Sequence, residues 1–210
     1  KALAMYLKSS NHEKAGEMYE QLGQVQNAVA EFSRAGNHQR GGELLRSADM
    51  AKEASQLFIK AGSPKEAGEV LEQVGQLVEA ARQFTNAEEF ERAAELYNRA
   101  GKTKPAARLY FKIDQADQGI RLLEEQNRLD IAAELCVEHE NFEKAGAIYS
   151  QMGEHLEAAK SYLKAGLRTN ALASFESAGS VQKASALCEE MGLLEKAGEL
   201  LGIPNLYPLI

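Results

Sequence analysis

The sequence has no tryptophan, four prolines and two cysteines in 210 residues. So few prolines leave long stretches free to run as helix, because proline removes a backbone donor and breaks a helix interior. Pro64 and Pro105 fall in the first turn of their helices by the repeat frame below, where the missing N–H is harmless. Two cysteines exclude a disulfide-stapled framework, and a reducing cytoplasm fits them. No run of 18 apolar residues exists and no secretory segment is visible, so no membrane insertion is expected. The formal charge of -7 and pI near 5.3 disfavour nucleic acid and anionic lipid as simple electrostatic partners.

Catalytic signatures are missing as well. No CxxC pair, HExxH, GxSxG or phosphate-cradling glycine loop occurs. His12 and His38 occupy equivalent places one helical hairpin apart, roughly 10 Å by helix packing. That is too far to share a metal at bond lengths of about 2.1 Å. His139 reads as a partly buried packing residue and His155 as a solvated one. No catalytic residue, cofactor or metal site is expected, and no enzyme.

What the chain does contain is a period. Counting thirteen from Gly23 lands on Gly36, Asp49, Gly62, Gly75, Glu88, Gly101, Asp114, Asn127, Glu140, Gly153, Gly166, Gly179 and Gly192, without insertion or deletion. Eight residues before each of these stands Ala or Gly, and four residues further on a large or apolar residue, as in Ala28 and Phe32 or Ala54 and Phe58. Small and apolar positions at i, i+4 and i+7 mark one face of a helix. Each unit therefore predicts one short helix of about three turns, closed by a residue in the left-handed conformation.

Helices of two kinds alternate. One kind carries glycine directly after the small position, at Gly16, Gly42, Gly68, Gly146 and Gly198, with Ala94, Ile120 and Leu172 at the same place. The structural unit is then a hairpin of 26 residues, whose glycine-bearing member we call the first helix. A fixed period of this kind is the signature of stacked units. The expected fold is all-α, a solenoid of about eight hairpins over residues 1–202, with 203–210 as a C-terminal extension that caps the stack or leads onward.

Pro204 and Pro208 forbid another regular turn there. The chain starts at Lys1, in mid-helix by the repeat frame, which reads as a fragment of a longer protein. Between Asp114 and Glu140 the closing glycine is replaced and Ile120 stands where a close-approach glycine is expected. Wider hairpin spacing, a changed bend or ordinary repeat drift would each account for it.

Cys136 and Cys188 sit where other second helices place Phe or Tyr. They lie two hairpins apart, roughly 16 to 20 Å by layer spacing, whereas a disulfide needs α-carbons within about 7 Å. They read as reduced, buried packing residues.

The small-Gly-x2-Tyr pattern of Ala15, Gly16 and Tyr19 resembles the first helix of a tetratricopeptide repeat. The small-x3-aromatic-x2-small pattern of Ala54, Phe58 and Ala61 resembles its second helix. The unit is shorter than that family's 34 residues and lacks its early tryptophan and closing proline. The chain is also similar to the short-helix solenoids of intraflagellar-transport and vesicle-coat subunits and of soluble NSF attachment proteins. These resemblances imply a right-handed α–α superhelix, a non-catalytic scaffold role and protein partners.

If the hairpins stack as that resemblance implies, the first helices line the concave surface. Their outward positions, three rows of them, hold fourteen acids against three bases. The candidate partner-binding residues are Glu17, Glu20, Glu43, Glu69, Glu72, Glu91, Glu95, Asp117 and Glu124, facing a basic peptide or protein surface. Glutamate is also a good helix former that favours N-termini, which accounts for part of the excess. Two other readings remain: a coat or transport-complex subunit that self-associates through stack ends, and a regulatory module that senses a peptide or ligand.

Overall fold

The computed structural model describes residues 2–203. The expected cap or linker lies, beyond Ile203, outside the described residues. Among those described, the chain is all-α, with sixteen helices and no strand. It divides into two compact units, one ending at Ile113 and the other beginning at Asp114. The first holds α1 (Ala2–Lys8), α2 (His12–Gln21), α3 (Val25–Arg34), α4 (His38–Ser47), α5 (Ala51–Lys60), α6 (Pro64–Gln73), α7 (Leu77–Asn86), α8 (Phe90–Arg99) and α9 (Thr103–Lys112). The second holds α10 (Ala116–Glu125), α11 (Leu129–Glu138), α12 (Phe142–Gln151), α13 (His155–Lys164), α14 (Arg168–Ser177), α15 (Val181–Glu190) and α16 (Leu194–Leu200). Within each unit consecutive helices pack on one another, the repeat of an α-solenoid.

The thirteen-residue period is a backbone period. Left-handed φ recurs at Ser10, Gly23, Gly36, Asp49, Gly62, Gly75, Glu88, Gly101, Asp114, Asn127, Glu140, Gly153, Gly166, Gly179 and Gly192. At Gly23 the residue's own N–H donates to the Glu20 carbonyl, and the next N–H, of Gln24, reaches back to Tyr19, both at 2.9 Å. This pair of bonds satisfies carbonyls that the helix end would otherwise leave orphaned. Asn127 and Glu140 close their helices the same way, with Arg128 N donating to Leu123 O at 2.8 Å and Asn141 N to Cys136 O at 2.7 Å. Gly202 is left-handed as well, ten residues after Gly192, so α16 stops short of the frame.

Packing explains the side-chain pattern. Ala15, Ala28, Ala54, Ala67, Ala80, Ala93 and Ala106 are fully buried in the first unit, and Ala132, Ala145, Ala158, Ala171, Ala184 and Ala197 in the second. Phe32, Phe58 and Phe84, four residues after that stripe, are also fully buried. Each contributes about 1.5 to 3 kcal/mol by leaving water. Isolated helices this short are marginal in water, so their stability comes from these neighbours. α1, the first helix described, buries no residue and leaves Met5 at 59% exposure.

The first-helix glycines make room for the next helix's aromatic ring. A Cβ added to Gly16 would lie 2.8 Å from Phe32, one on Gly42 2.9 Å from Phe58, and one on Gly68 3.0 Å from Phe84. The partner always lies sixteen residues on. Where the first-helix residue is large instead, at Ile120 and Leu172, the residue sixteen on is Cys136 or Cys188, and all four are buried. Bulk is exchanged across the hairpin, so Ile120 stays buried where a glycine was expected. Burial also pushes the Cys136 thiol up to about 11, so it stays a protonated packing group.

Candidate protein-interaction face

The nine candidate acids sit on first helices of the two units: Glu17 and Glu20 on α2, Glu43 on α4, Glu69 and Glu72 on α6, Glu91 and Glu95 on α8, Asp117 and Glu124 on α10. In the first unit these helices are joined by recurring polar rungs. Asn37 Nδ2 donates to Glu13 at 2.8 Å, Ser63 Oγ to Gln39 at 2.6 Å and Lys65 Nζ to Glu89 at 2.5 Å. Each rung lies one hairpin beyond the last. A second series links Glu20 to Arg40 at 3.0 Å and Glu72 to Arg92 at 3.0 Å, and Arg99 adds a 2.7 Å bond to Glu72. In the second unit, Lys144 pairs with Asp117, and Lys196 with Glu176 at 2.7 Å.

The rungs sort the candidates. Glu17 is tied to Lys14 at 2.7 Å, Glu20 to Arg40, Glu72 to two arginines and Asp117 to Lys144. Glu43 accepts only from Gln39 at 3.2 Å, while Glu69, Glu91, Glu95 and Glu124 make no ion pair among the described residues. Glu43 and Glu69 are half-buried, and Glu91, Glu95 and Glu124 are exposed.

Titration reflects the same division. Burial alone would raise the Glu72 carboxyl, but hydrogen bonds from Arg99 and Arg92 hold it below its ordinary value. The hydrogen bond from Lys144 lowers Asp117, and the hydrogen bond that Lys65 donates to Glu89 raises Lys65. Burial raises the Tyr110 hydroxyl on α9, and the negative charges of Glu95 and Glu91 add to the shift.

Sequence reasoning missed the bases that answer these acids. Arg40, Arg92, Arg99, Lys144 and Lys196 lie on first helices, outside the three outward rows, and they narrow the acidic excess of this face. Their signal was present as a separation of twenty residues, shared by Glu20 and Arg40, Glu72 and Arg92, and Glu176 and Lys196. Also missed was Glu31, 3% exposed on α3, which bonds His12 Nδ1 at 2.8 Å and pairs with Arg34. His139 is the exposed C-cap of α11, not partly buried, because that position projects off the helix end. Cys136 and Cys188 are free and buried.

No group of three or more potential metal ligands forms among the described residues. No helix among them is long and apolar enough to cross a membrane. Short helices in stacked hairpins, with a polar face built from alternate helices, define a helical-repeat protein of the tetratricopeptide-like class. The family model for the soluble NSF attachment protein, SNAP, matches residues 2–135, and the chain belongs to that family. SNAP-like helical repeats are generally non-enzymatic adaptors that bind other proteins.

No curated protein sequence matches the chain. Among solved structures, it aligns with the crystal structure of BtubC (BKLC) from P. vanneervenii at 13% identity, covering 100% of this chain and 95% of that one. The TM-score of 0.22 marks a superposition too loose to carry a structural argument.

Proposed function

We propose that the chain is a non-catalytic interaction scaffold whose first-helix face receives a basic peptide or a basic protein surface. The observation that carries this reading is the row Glu43, Glu69 and Glu95. These residues recur at one helical position on α4, α6 and α8, and none of them forms an ion pair with a lysine or arginine among the described residues. Successive first helices joined by rungs keep such a row on one surface. Unpaired carboxylates in register give long-range attraction for a cation-bearing partner and fix its orientation. Glu91, exposed in the first turn of α8, extends the acidic surface there.

The test is fluorescence anisotropy with two sets of labelled peptides, one rich in lysine and arginine and one rich in aspartate and glutamate. Basic peptides bind, and their affinity falls as salt rises through screening. Equal affinity for both sets, or none for either, overturns the reading.

A second reading is assembly through stack ends, favoured by α1, which buries none of its residues. Light scattering that grows with protein concentration, and is lost on Met5→Lys, supports it; a mass independent of concentration removes it.

A further inference from the structure

The second unit carries a surface cavity of about 350 Å³ between the first helices α10 and α12. Its apolar floor is Ile120 and Ile148, 8% and 5% exposed, and its charged lining is Asp117, Arg121, Glu124 and Lys144. Two of those four charges are committed to each other, in the Lys144–Asp117 pair. The other two are not. Among the described residues Arg121 makes no ion pair, and its side chain donates from Nε to the Asp117 backbone carbonyl at 3.4 Å. The Glu124 carboxylate has no partner among the described residues. One turn of α10 separates these two free charges, roughly 5 to 6 Å between Cβ atoms.

We infer that this cavity binds an aliphatic α-amino acid: its carboxylate on Arg121, its ammonium on Glu124 and its side chain on Ile120 and Ile148. A ligand bearing one charge leaves either Arg121 or Glu124 unmatched; a zwitterion with an apolar body satisfies both and covers the floor. The volume lies in the range of small-ligand sites, which combine apolar walls with a few placed polar groups. The site arises where the glutamate row of the first unit gives way. Arg121 and Ala147 occupy the places held by Glu17, Glu43, Glu69 and Glu95, and the short Ala147 side chain leaves the mouth open. This binding is independent of the basic partner proposed for the first unit.

Isothermal titration of the whole chain with L-leucine tests the inference, with 4-methylpentanoate and 3-methylbutylamine as probes lacking one charge. L-Leucine binds with a Kd of about 1 mM or tighter, the range open to so small a ligand. Each one-charge analogue binds at least tenfold more weakly. Arg121→Gln and Glu124→Gln, both exposed and away from the core, each weaken L-leucine at least tenfold while leaving the thermal midpoint unchanged. Ala147→Leu, which fills the mouth, abolishes binding. No heat with L-leucine at millimolar concentration, or equal binding of leucine and its analogues, overturns the inference.

Discussion

Gly146 and Tyr162 touch so closely that a Cβ on the glycine would lie 2.7 Å from the tyrosine ring. The two residues belong to the two helices of one hairpin, α12 and α13, and the same relation holds between Gly42 and Phe58. A glycine in mid-helix costs about 1 kcal/mol relative to alanine. Here that loss is offset by the burial of a whole aromatic ring.

The exchange of bulk predicts a coupled pair. Gly42→Ile alone overpacks α4 against Phe58 and destabilises the first unit by about 1 to 3 kcal/mol. Phe58→Cys alone opens a cavity and costs about 3 kcal/mol or more, by analogy with Phe→Ala changes. Together they recreate the Ile120 and Cys136 arrangement, and urea unfolding of the double variant shows a loss at least 1 kcal/mol smaller than the sum. Additive losses would mean the two positions do not share space.

The closing positions predict opposite effects of glycine. Glu88 and Glu140 hold φ of +60° and +56°, a conformation that disfavours a side chain by about 1 to 2 kcal/mol. Glu88→Gly and Glu140→Gly each stabilise by about 0.5 to 1 kcal/mol, part of the gain being returned to the unfolded chain as entropy. Gly62→Ala, at φ +73°, destabilises by about 1 kcal/mol. Chemical denaturation midpoints check all three.

Glu72 sets a pH dependence. Its folded carboxyl lies below the ordinary value of 4.5, so its contribution is present above that pH and is lost as pH falls through the depressed folded value. The thermal midpoint of Glu72→Gln therefore lies below that of the native chain at neutral pH, and the gap closes in acid. A gap that stays constant from neutral pH downward contradicts the role given to Arg92 and Arg99.

Glu31 predicts that losing its partner is worse than losing the charge. His12→Ala withdraws one of two partners from a buried carboxylate and costs about 1 to 3 kcal/mol. Glu31→Leu installs the residue found one hairpin on, at Leu57, and is neutral or stabilising, as replacement of buried ion pairs often is. Thermal unfolding of both variants at neutral pH separates the two cases.

The helix boundaries were legible in the sequence because they follow from a backbone need. Only a few residue types accept positive φ without strain, so Gly23 through Gly192 betray the frame. Asn127 and Glu140 obey it because the stack imposes the conformation on them. Ile120 looked like a break when read alone and becomes regular only beside Cys136, a relation across two helices that a period along one chain does not display. The acidic rows were legible as positions, whereas their pairing was not. Arg92 reaches Glu72 from the next first helix, one hairpin on, and also stacks on Phe84, its guanidinium 4.1 Å from the ring centre. Such reach depends on rotamers and neighbours. The cavity beside Arg121 was hidden for the same reason.

The central claim is that the carboxylates of Glu43 on α4 and Glu69 on α6, neither held in an ion pair among the described residues, attract the partner, and a matched pair of charge reversals tests it most directly. Glu43→Lys with Glu69→Lys alters the first-helix face, while Glu53→Lys with Glu79→Lys makes the same change in net charge on the exposed surfaces of α5 and α7. Anisotropy titration with one lysine- and arginine-rich peptide at low salt should show at least a tenfold loss for the first variant and less than a twofold loss for the second. Equal losses in both would reduce the effect to overall charge and contradict a defined acidic face.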